Sequence, residues 1–388
     1  MVSSFKTPHA AVACLLLGLF APTHAQTPAP KPYASIATDG EGYAGPGRAA
    51  ANDLPGLVIR IGLLAPLHGE RKPEGDAMVA AAQMALHDAA PRGSVHGHHV
   101  AFAIQDSSGP SWGVVSDAVI RLVLEDEAVA LITSTSGADA HLSEQVGNRV
   151  GVPVLTLSAD ATTTEADIPW IFRMGASDLI QAQLIAYELY SVRHLGHILL
   201  ITQQGRDGDR GAISMRHAAA DLGAIEPKVV TLDEDQPDLN AFVQRINANP
   251  QQAIVIWTNT STAARLLSAL RAAGVSVPCY LSEDASVRIA TNSGDEVWAI
   301  TEDIKTDLNR PAFAKRFQQS TGLSPNAIAT RTYDAVTLIV QALQVVGPNR
   351  ARVRDELSRG SFSDGISGKI TFDRQGNNQI AMHLVKLQ

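Results

Sequence analysis

The chain has 388 residues, 45% of them hydrophobic, 18% charged and 5% aromatic, with a net charge of −8. That composition is globular, and the length exceeds what one hydrophobic core usually fills, so two lobes are expected. The acidic balance and the lack of a long basic run exclude nucleic acid as the main partner.

The amino terminus reads as an export signal. Lys6 precedes an apolar run from Ala10 to Ala21, and Thr23-His24-Ala25 gives an A-x-A-like end before Gln26. Charged start, short apolar middle and small-residue end predict a signal peptide over 1–25 and delivery to the periplasm. The run is shorter than the roughly 20 residues that a membrane-spanning helix needs. Cys14 lacks a leucine three residues before it, and most of the apolar run follows it, which disfavours lipid attachment. Cleavage leaves Cys279 as the one cysteine, so no internal disulfide forms, and its apolar surroundings predict a buried thiol. Residues 26–56, rich in Pro, Ala and Gly, read as a flexible tail without a core.

From Leu57 onward, strands and helices alternate. Leu57 to Ala65 is a short apolar run that suits a strand buried on both faces. A loop with Pro66, Gly69, Pro73 and Gly75 follows, and then Ala77, Ala81, Met84, Ala85 and Ala89 recur at helical spacing. Further strands are predicted over 99–105, 128–133, 152–157 and 171–174, with helices over 112–126 and 138–150. The second half gives helices over 179–192, 210–222, 239–248 and 261–273, and strands over 197–202, 228–232, 253–257 and 277–281. A strand over 295–300, helices over 311–320, 326–346 and 350–359, and a strand pair over 368–372 and 379–386 complete the chain. This alternation predicts an α/β protein with doubly wound, Rossmann-like parallel sheets, whose ligands bind at the carboxyl ends of the strands.

Several segments together resemble a known family. Gly62, Pro66, Leu67, Gly69, Gly75, Ala81 and Ala85 fall in step with the opening of type I periplasmic solute-binding proteins of the branched-chain amino acid group, with His68 where Ser or Thr is usual. Gly151 to Thr156, Trp170 to Arg173, Pro311 to Ala335 and Phe362 to Asn377 are similar to later segments of the same family, in the same order. The resemblance implies two lobes joined by three hinge crossings, near Gly175, Ser286 and Gly360. Lobe 1 is then 57–174 plus 286–359, and lobe 2 is 175–285 plus 360–388. It also implies a monomer that captures a small solute between its lobes and delivers it to an inner-membrane ABC permease.

No catalytic signature is present. The chain lacks G-x-x-x-x-G-K-[ST], G-x-G-x-x-G and G-x-S-x-G, so neither a nucleotide cofactor nor a hydrolase elbow is expected. His96, His98 and His99 lack metal-ligand spacing and read as a polar turn. Ser136, Asp139 and His141 lie on one helix start, a poor nucleophile set. The expected protein is therefore no enzyme and holds no cofactor or metal.

Binding is better supported. Thr133 to Gly137 follows a strand and opens a helix, where free N–H groups and the positive helix end favour an anion; a plain cap suits the same residues. The resemblance assigns Ser136 and Gly137 to a ligand carboxylate, with Ser158, Ala159 and Asp160 in a second contact segment. There Asp160 stands where the family has Thr, and it would repel a carboxylate unless protonated or paired. By position, Glu74 and Asp207 replace aromatic pocket residues, Asn259 or Thr260 falls near another, and Asp284 matches the acid that holds an ammonium group. With Asp106 added, an acidic cleft mouth is expected, better suited to a cationic, amide or hydroxylated solute than to leucine. Trp112 and Trp257 are candidates for an apolar wall or for core. A sensing subunit without transport and a cleft hydrolase remain the alternatives.

Overall fold

The computed structural model describes residues 54, 56–90, 93–109, 112–165, 168–233, 239–247, 251–283, 285, 296–302, 310–359 and 362–387. The signal-peptide reading and nearly all of the tail lie outside these residues.

The first half runs β1 (Val58–Ala65), α1 (Lys72–Ala89), β2 (Ser94–Val95), β3 (His98–Asp106), α2 (Trp112–Ile120, continued by a π-helical turn, Arg121–Glu125), β4 (Ala130–Thr133), α3 (Gly137–Val150), β5 (Val154–Thr156), α4 (Thr162–Glu165) and β6 (Ile171–Arg173). Its sheet has the order β2-β3-β1-β4-β5-β6, parallel except for β2. Strand β1 alternates between two cores. Ile59, Ile61 and Leu63 pack under α1, whereas Leu64 packs on the opposite face with Val119 and Leu142. Each such buried aliphatic stabilises the sheet by roughly 1.5–3 kcal/mol, which is why the strand reads as a continuous apolar run.

The second half repeats the plan. It runs α5 (Asp178–Ala186), β7 (Ile198–Gln203), α6 (Arg206–Asp221), β8 (Lys228–Leu232), α7 (Leu239–Asn247), β9 (Ala253–Trp257), α8 (Thr260–Ala272), β10 (Cys279–Leu281) and β11 (Val297–Glu302). Then come α9 (Arg310–Thr321), α10 (Ala327–Val346), α11 (Arg350–Arg359), β12 (Phe362–Gly365), β13 (Gly368–Ile370) and β14 (Met382–Lys386). The second sheet has the order β14-β11-β10-β9-β7-β8, parallel but for β14. In both sheets the chain starts in the interior, steps once to one side and then winds to the other. The switch points are β1/β4 and β7/β9, and loops at those carboxyl ends diverge to leave a crevice.

At Gly175 the chain passes from one core to the next: Met174 belongs to the first and Ala176 to the second. The other two crossings move. The chain was expected to rejoin lobe 1 from 286, but Cys279 pairs with Val297, so β11 extends the second sheet. First-lobe packing resumes with α9, whose Phe313 and Phe317 pack on Ala77 and Ala81. The third crossing was expected near Gly360. Instead Ser367 N donates to Asp334 at 2.9 Å, and the Phe372 ring lies 5.0 Å from that of Phe172, so the hairpin stays on lobe 1. Among the described residues after β11, β14 alone returns to the second sheet. Strand partnership across such distances is decided by pairing and not by local pattern, which is why the boundaries moved.

Helix starts also differ from expectation. Gly75 reads as a loop glycine and Gly208 precedes the helix expected over 210–222, yet both sit in the first turn of a helix, α1 and α6. A Cβ on Gly75 would lie 1.8 Å from the Pro66 carbonyl oxygen, and one on Gly208 1.8 Å from the Gln203 carbonyl oxygen. The glycines let each helix start against the end of its own strand. Helix α6 therefore begins at Arg206, four residues before the expected Arg210.

Candidate functional site

The crevice between the lobes is a cavity of about 520 Å³. Its first-lobe wall comes from the loop after β1 (Pro66, His68 to Arg71), the loop after β3 (Ser107 to Gly109) and the start of α3 (Ser136, Ala138, Asp139). Its second-lobe wall includes Gln203, Asp233, Asn259, Thr262 and Arg265. A smaller chamber of about 210 Å³, bounded by Arg71, Ser136, Gln203, Arg206, Asp207, Trp257 and Asn259, lies beside it. The lining follows from topology, since these loops leave the carboxyl ends of the switch-point strands.

Helix α3 is capped in the expected way. Ser136 has extended backbone (φ −69°, ψ 123°), and its Oγ accepts from Asp139 N at 3.2 Å. Such a cap contributes about 1 kcal/mol. Asp139 is buried, accepts from Ser134 Oγ at 2.7 Å, and is pushed above the usual carboxylate range by burial. The Gly137 N–H, the first donor of the helix, points across the crevice to Asp207 Oδ1 at 2.9 Å.

Asp160 is not the unpaired anion that would repel a ligand. It is fully buried, and Arg206 Nε of the second lobe donates to its Oδ2 at 2.5 Å. Thr162 N and Oγ1 donate to Oδ1 at 3.0 and 2.6 Å. Although burial opposes its ionisation, His141, Thr162 and Arg206 together hold Asp160 well below the usual carboxylate range. Arg206 Nη2 also lies 2.8 Å from His141 Nε2 and donates to Thr162 Oγ1 at 2.8 Å. Arg206 and Asp207 are thus neighbours on α6 that grip the first lobe at two points.

Arg71 organises the opposite wall. Its Nη2 donates to Glu74 Oε2 at 2.8 Å and to Thr135 Oγ1 at 2.6 Å, and Thr135 Oγ1 donates in turn to Glu74 at 3.1 Å. Glu74 is therefore a buried partner of Arg71. It borders a side cavity together with Pro73, Asn259 and Phe317.

The remaining expected residues separate. Asn259 caps α8, accepting from Thr262 N at 2.9 Å while its own N–H donates to Gln203 Oε1 at 3.0 Å, and it borders the crevice, the small chamber and the side cavity. Ser158 is buried in a turn: its Oγ accepts from Asp160 N and its carbonyl from Arg173. Ala159 accepts from Asp178 N at 2.7 Å. Neither Ser158 nor Ala159 borders the cavity. Asp284 lies outside the described residues, as does the Trp112 side chain. Trp257 is 6% exposed, packs over Gly211 and borders the small chamber.

The expected acidic mouth is corrected among the described residues, because most of its acids are paired. Glu74 meets Arg71, Asp160 meets Arg206, and Glu70 faces Arg265 across the crevice at 3.6 Å. Asp106 is held at about 2: burial opposes its ionisation, but the Leu67 and Ser108 N–H groups and His68 outweigh it. Arg71 and Arg206 were missed because a single arginine at a helix start has no spacing signature.

Arg173 anchors the floor at the first crossing. It is fully buried, and its guanidinium donates to the carbonyls of Ser158, Asp160 and Ala161, to Thr163 and Thr164 Oγ1, and to Asn377 Oδ1. Desolvation lowers it to about 10, and surrounding carboxylates oppose the shift.

Comparison with known proteins agrees with this architecture. A family model described as periplasmic binding protein matches residues 58–388. The fold resembles the LivJ substrate-binding protein of Streptococcus pneumoniae, solved with isoleucine (18% identity, 85% of this chain and 99% of that one, TM-score 0.73). It also resembles a Rhodopseudomonas palustris solute-binding protein solved with benzoate (16% identity, 85% and 93%, TM-score 0.77). Among curated proteins, 251 residues are 23% identical to glutamate receptor 3.4 of Arabidopsis thaliana, covering 58% of this chain. The chain spans about a quarter of that receptor's length.

Proposed function

The chain belongs to the periplasmic binding protein family, and we propose that it is the substrate-binding component of an ABC-type transporter. On this reading it captures a small polar solute, of amino-acid or amide size, between its lobes. It acts in the periplasm, passes the solute to an inner-membrane permease, and catalyses no reaction. The observation that carries the reading is a polar crevice at two switch points, walled by both lobes and spanned by Asp160–Arg206 and Gly137–Asp207. A solute that touches both walls stabilises the closed arrangement by the contacts it makes only there. The known ligands of the relatives, isoleucine and benzoate, are of a size that such a crevice holds.

A second reading is a ligand-sensing subunit, favoured by the likeness to a plant glutamate receptor. Both readings require solute binding. A thermal-shift screen of the full chain against amino acids, amides, polyamines, polyols and organic acids tests that requirement. A solute at one hundred times its dissociation constant stabilises by about 2.7 kcal/mol. No shift with any class would contradict both readings.

A further inference from the structure

The amino end of α3 has the chemistry of an anion site, and in this structure an anion already sits on it. That anion is the chain's own Asp207, whose Oδ1 accepts from Gly137 N at 2.9 Å across the crevice. The fit is close: a Cβ on Gly137 would lie 2.8 Å from Asp207 Oδ1 and 2.7 Å from Asp160 Oδ2. Asp207 is delivered there by α6, which starts early because Gly208 lets it rest on the Gln203 carbonyl. The neighbouring Arg206 fixes its direction by holding Asp160.

We infer that Asp207 is a specificity-determining residue, a built-in carboxylate that occupies the α3 anion position when the lobes close. A free carboxylate must displace it to reach the Gly137 N–H. It competes against a group tethered in place at high effective concentration. The solute face next to Asp207 is then one that donates hydrogen bonds, an amine, amide or hydroxyl. The buried Asp139 carboxylate on the cavity wall suits the same class. This inference rests on the solute-binding reading and narrows it.

The test compares wild type, Asp207→Ala and Asp207→Asn by titration calorimetry with acetate, benzoate and L-leucine. The same runs titrate wild type with amines, amides and polyols. Solvent reaches Asp207, so both variants should fold, as circular dichroism can verify. Asp207→Ala should bind at least one carboxylate about tenfold more tightly than wild type, the size of effect a tethered competitor imposes. Asp207→Asn should fall between wild type and Asp207→Ala, because its amide oxygen still accepts from Gly137 but carries no charge. Equal carboxylate binding in wild type and Asp207→Ala overturns the inference, as does an equal gain in Asp207→Asn. If wild type binds an amine, amide or polyol and Asp207→Ala gains no carboxylate, the inference fails alone. Failure of wild type to bind anything in either set overturns the solute-binding reading instead.

Discussion

The Arg206 guanidinium of the second lobe lies 2.5 Å from the Asp160 carboxylate of the first, and Asp160 is fully buried while Arg206 is 42% exposed. The pair joins the two lobes at the edge of the crevice. Removing Arg206 leaves a buried carboxylate with fewer donors, at a cost of about 1–3 kcal/mol that falls on the closed arrangement. Arg206→Ala should therefore shift the ligand-free protein toward open forms and weaken solute binding, with little effect on the melting of either lobe. Small-angle scattering would show the larger radius of gyration. An unchanged radius would mean that the pair does not hold the lobes together.

Gly208 meets the Gln203 carbonyl where a Cβ would lie 1.8 Å away. Gly208→Ala should lift the start of α6 from the end of β7 and move Arg206 and Asp207 together. We expect destabilisation of about 1–3 kcal/mol, typical of overpacking, and a loss of solute affinity. Gly205→Ala is the contrast. Gly205 has φ 108° but nothing within 4 Å of a Cβ, so it should show backbone strain without displaced packing. Denaturant melts and titrations of the pair would separate the two effects.

Arg173 is buried with hydrogen bonds to three backbone carbonyls in the loop that carries Asp160. Replacing it with Ala leaves those acceptors unpaired, and the expected loss is about 3–5 kcal/mol of stability. Arg173→Lys should recover little of it, because an ammonium group cannot reproduce the planar fork. Chemical denaturation measures both. A loss under about 1 kcal/mol, the scale of one hydrogen bond, would show that the cluster adds no anchoring.

Closure should depend on pH through Asp207. Desolvation pushes its carboxyl up to about 6, with Asp160 and Asp139 adding to the shift and Arg71 and the Gly137 N–H opposing it. The closed form then binds a proton more readily than an open form in which the carboxyl titrates at its ordinary value. Closure is most favoured below that ordinary value and weakens as pH rises toward about 6. Scattering between pH 4 and 7 should show expansion as pH rises, and Asp207→Asn should remove the trend.

Much of the fold is legible from local pattern. Buried parallel strands such as β1 and β9 appear as apolar runs, and the helices between them follow from spacing. The strand-end location of the crevice follows from the alternation alone. What stayed hidden is long-range. The strand over 297–302 carries no local mark of which sheet it joins, and the hairpin 362–370 carries none of which lobe it packs on. Gly208 looks like a loop residue until the Gln203 carbonyl beneath it is seen. Asp160 looks like a lone acid because its arginine lies 46 residues away. Acids drew attention at the site while the paired arginines did not, and that imbalance produced the expectation of an acidic mouth.

Solute capture in the crevice requires that a solute close the two lobes over it. Spin labels at the exposed positions Gln83 on α1 and His217 on α6 would report the inter-lobe distance directly. The probe is whichever amine, amide, polyol, amino acid or organic acid raises the melting temperature. The ligand-free protein should give a broad distribution that narrows to its shortest distances when the probe is added. A distribution that does not change, despite a clear rise in melting temperature, would place the solute elsewhere and contradict this closure.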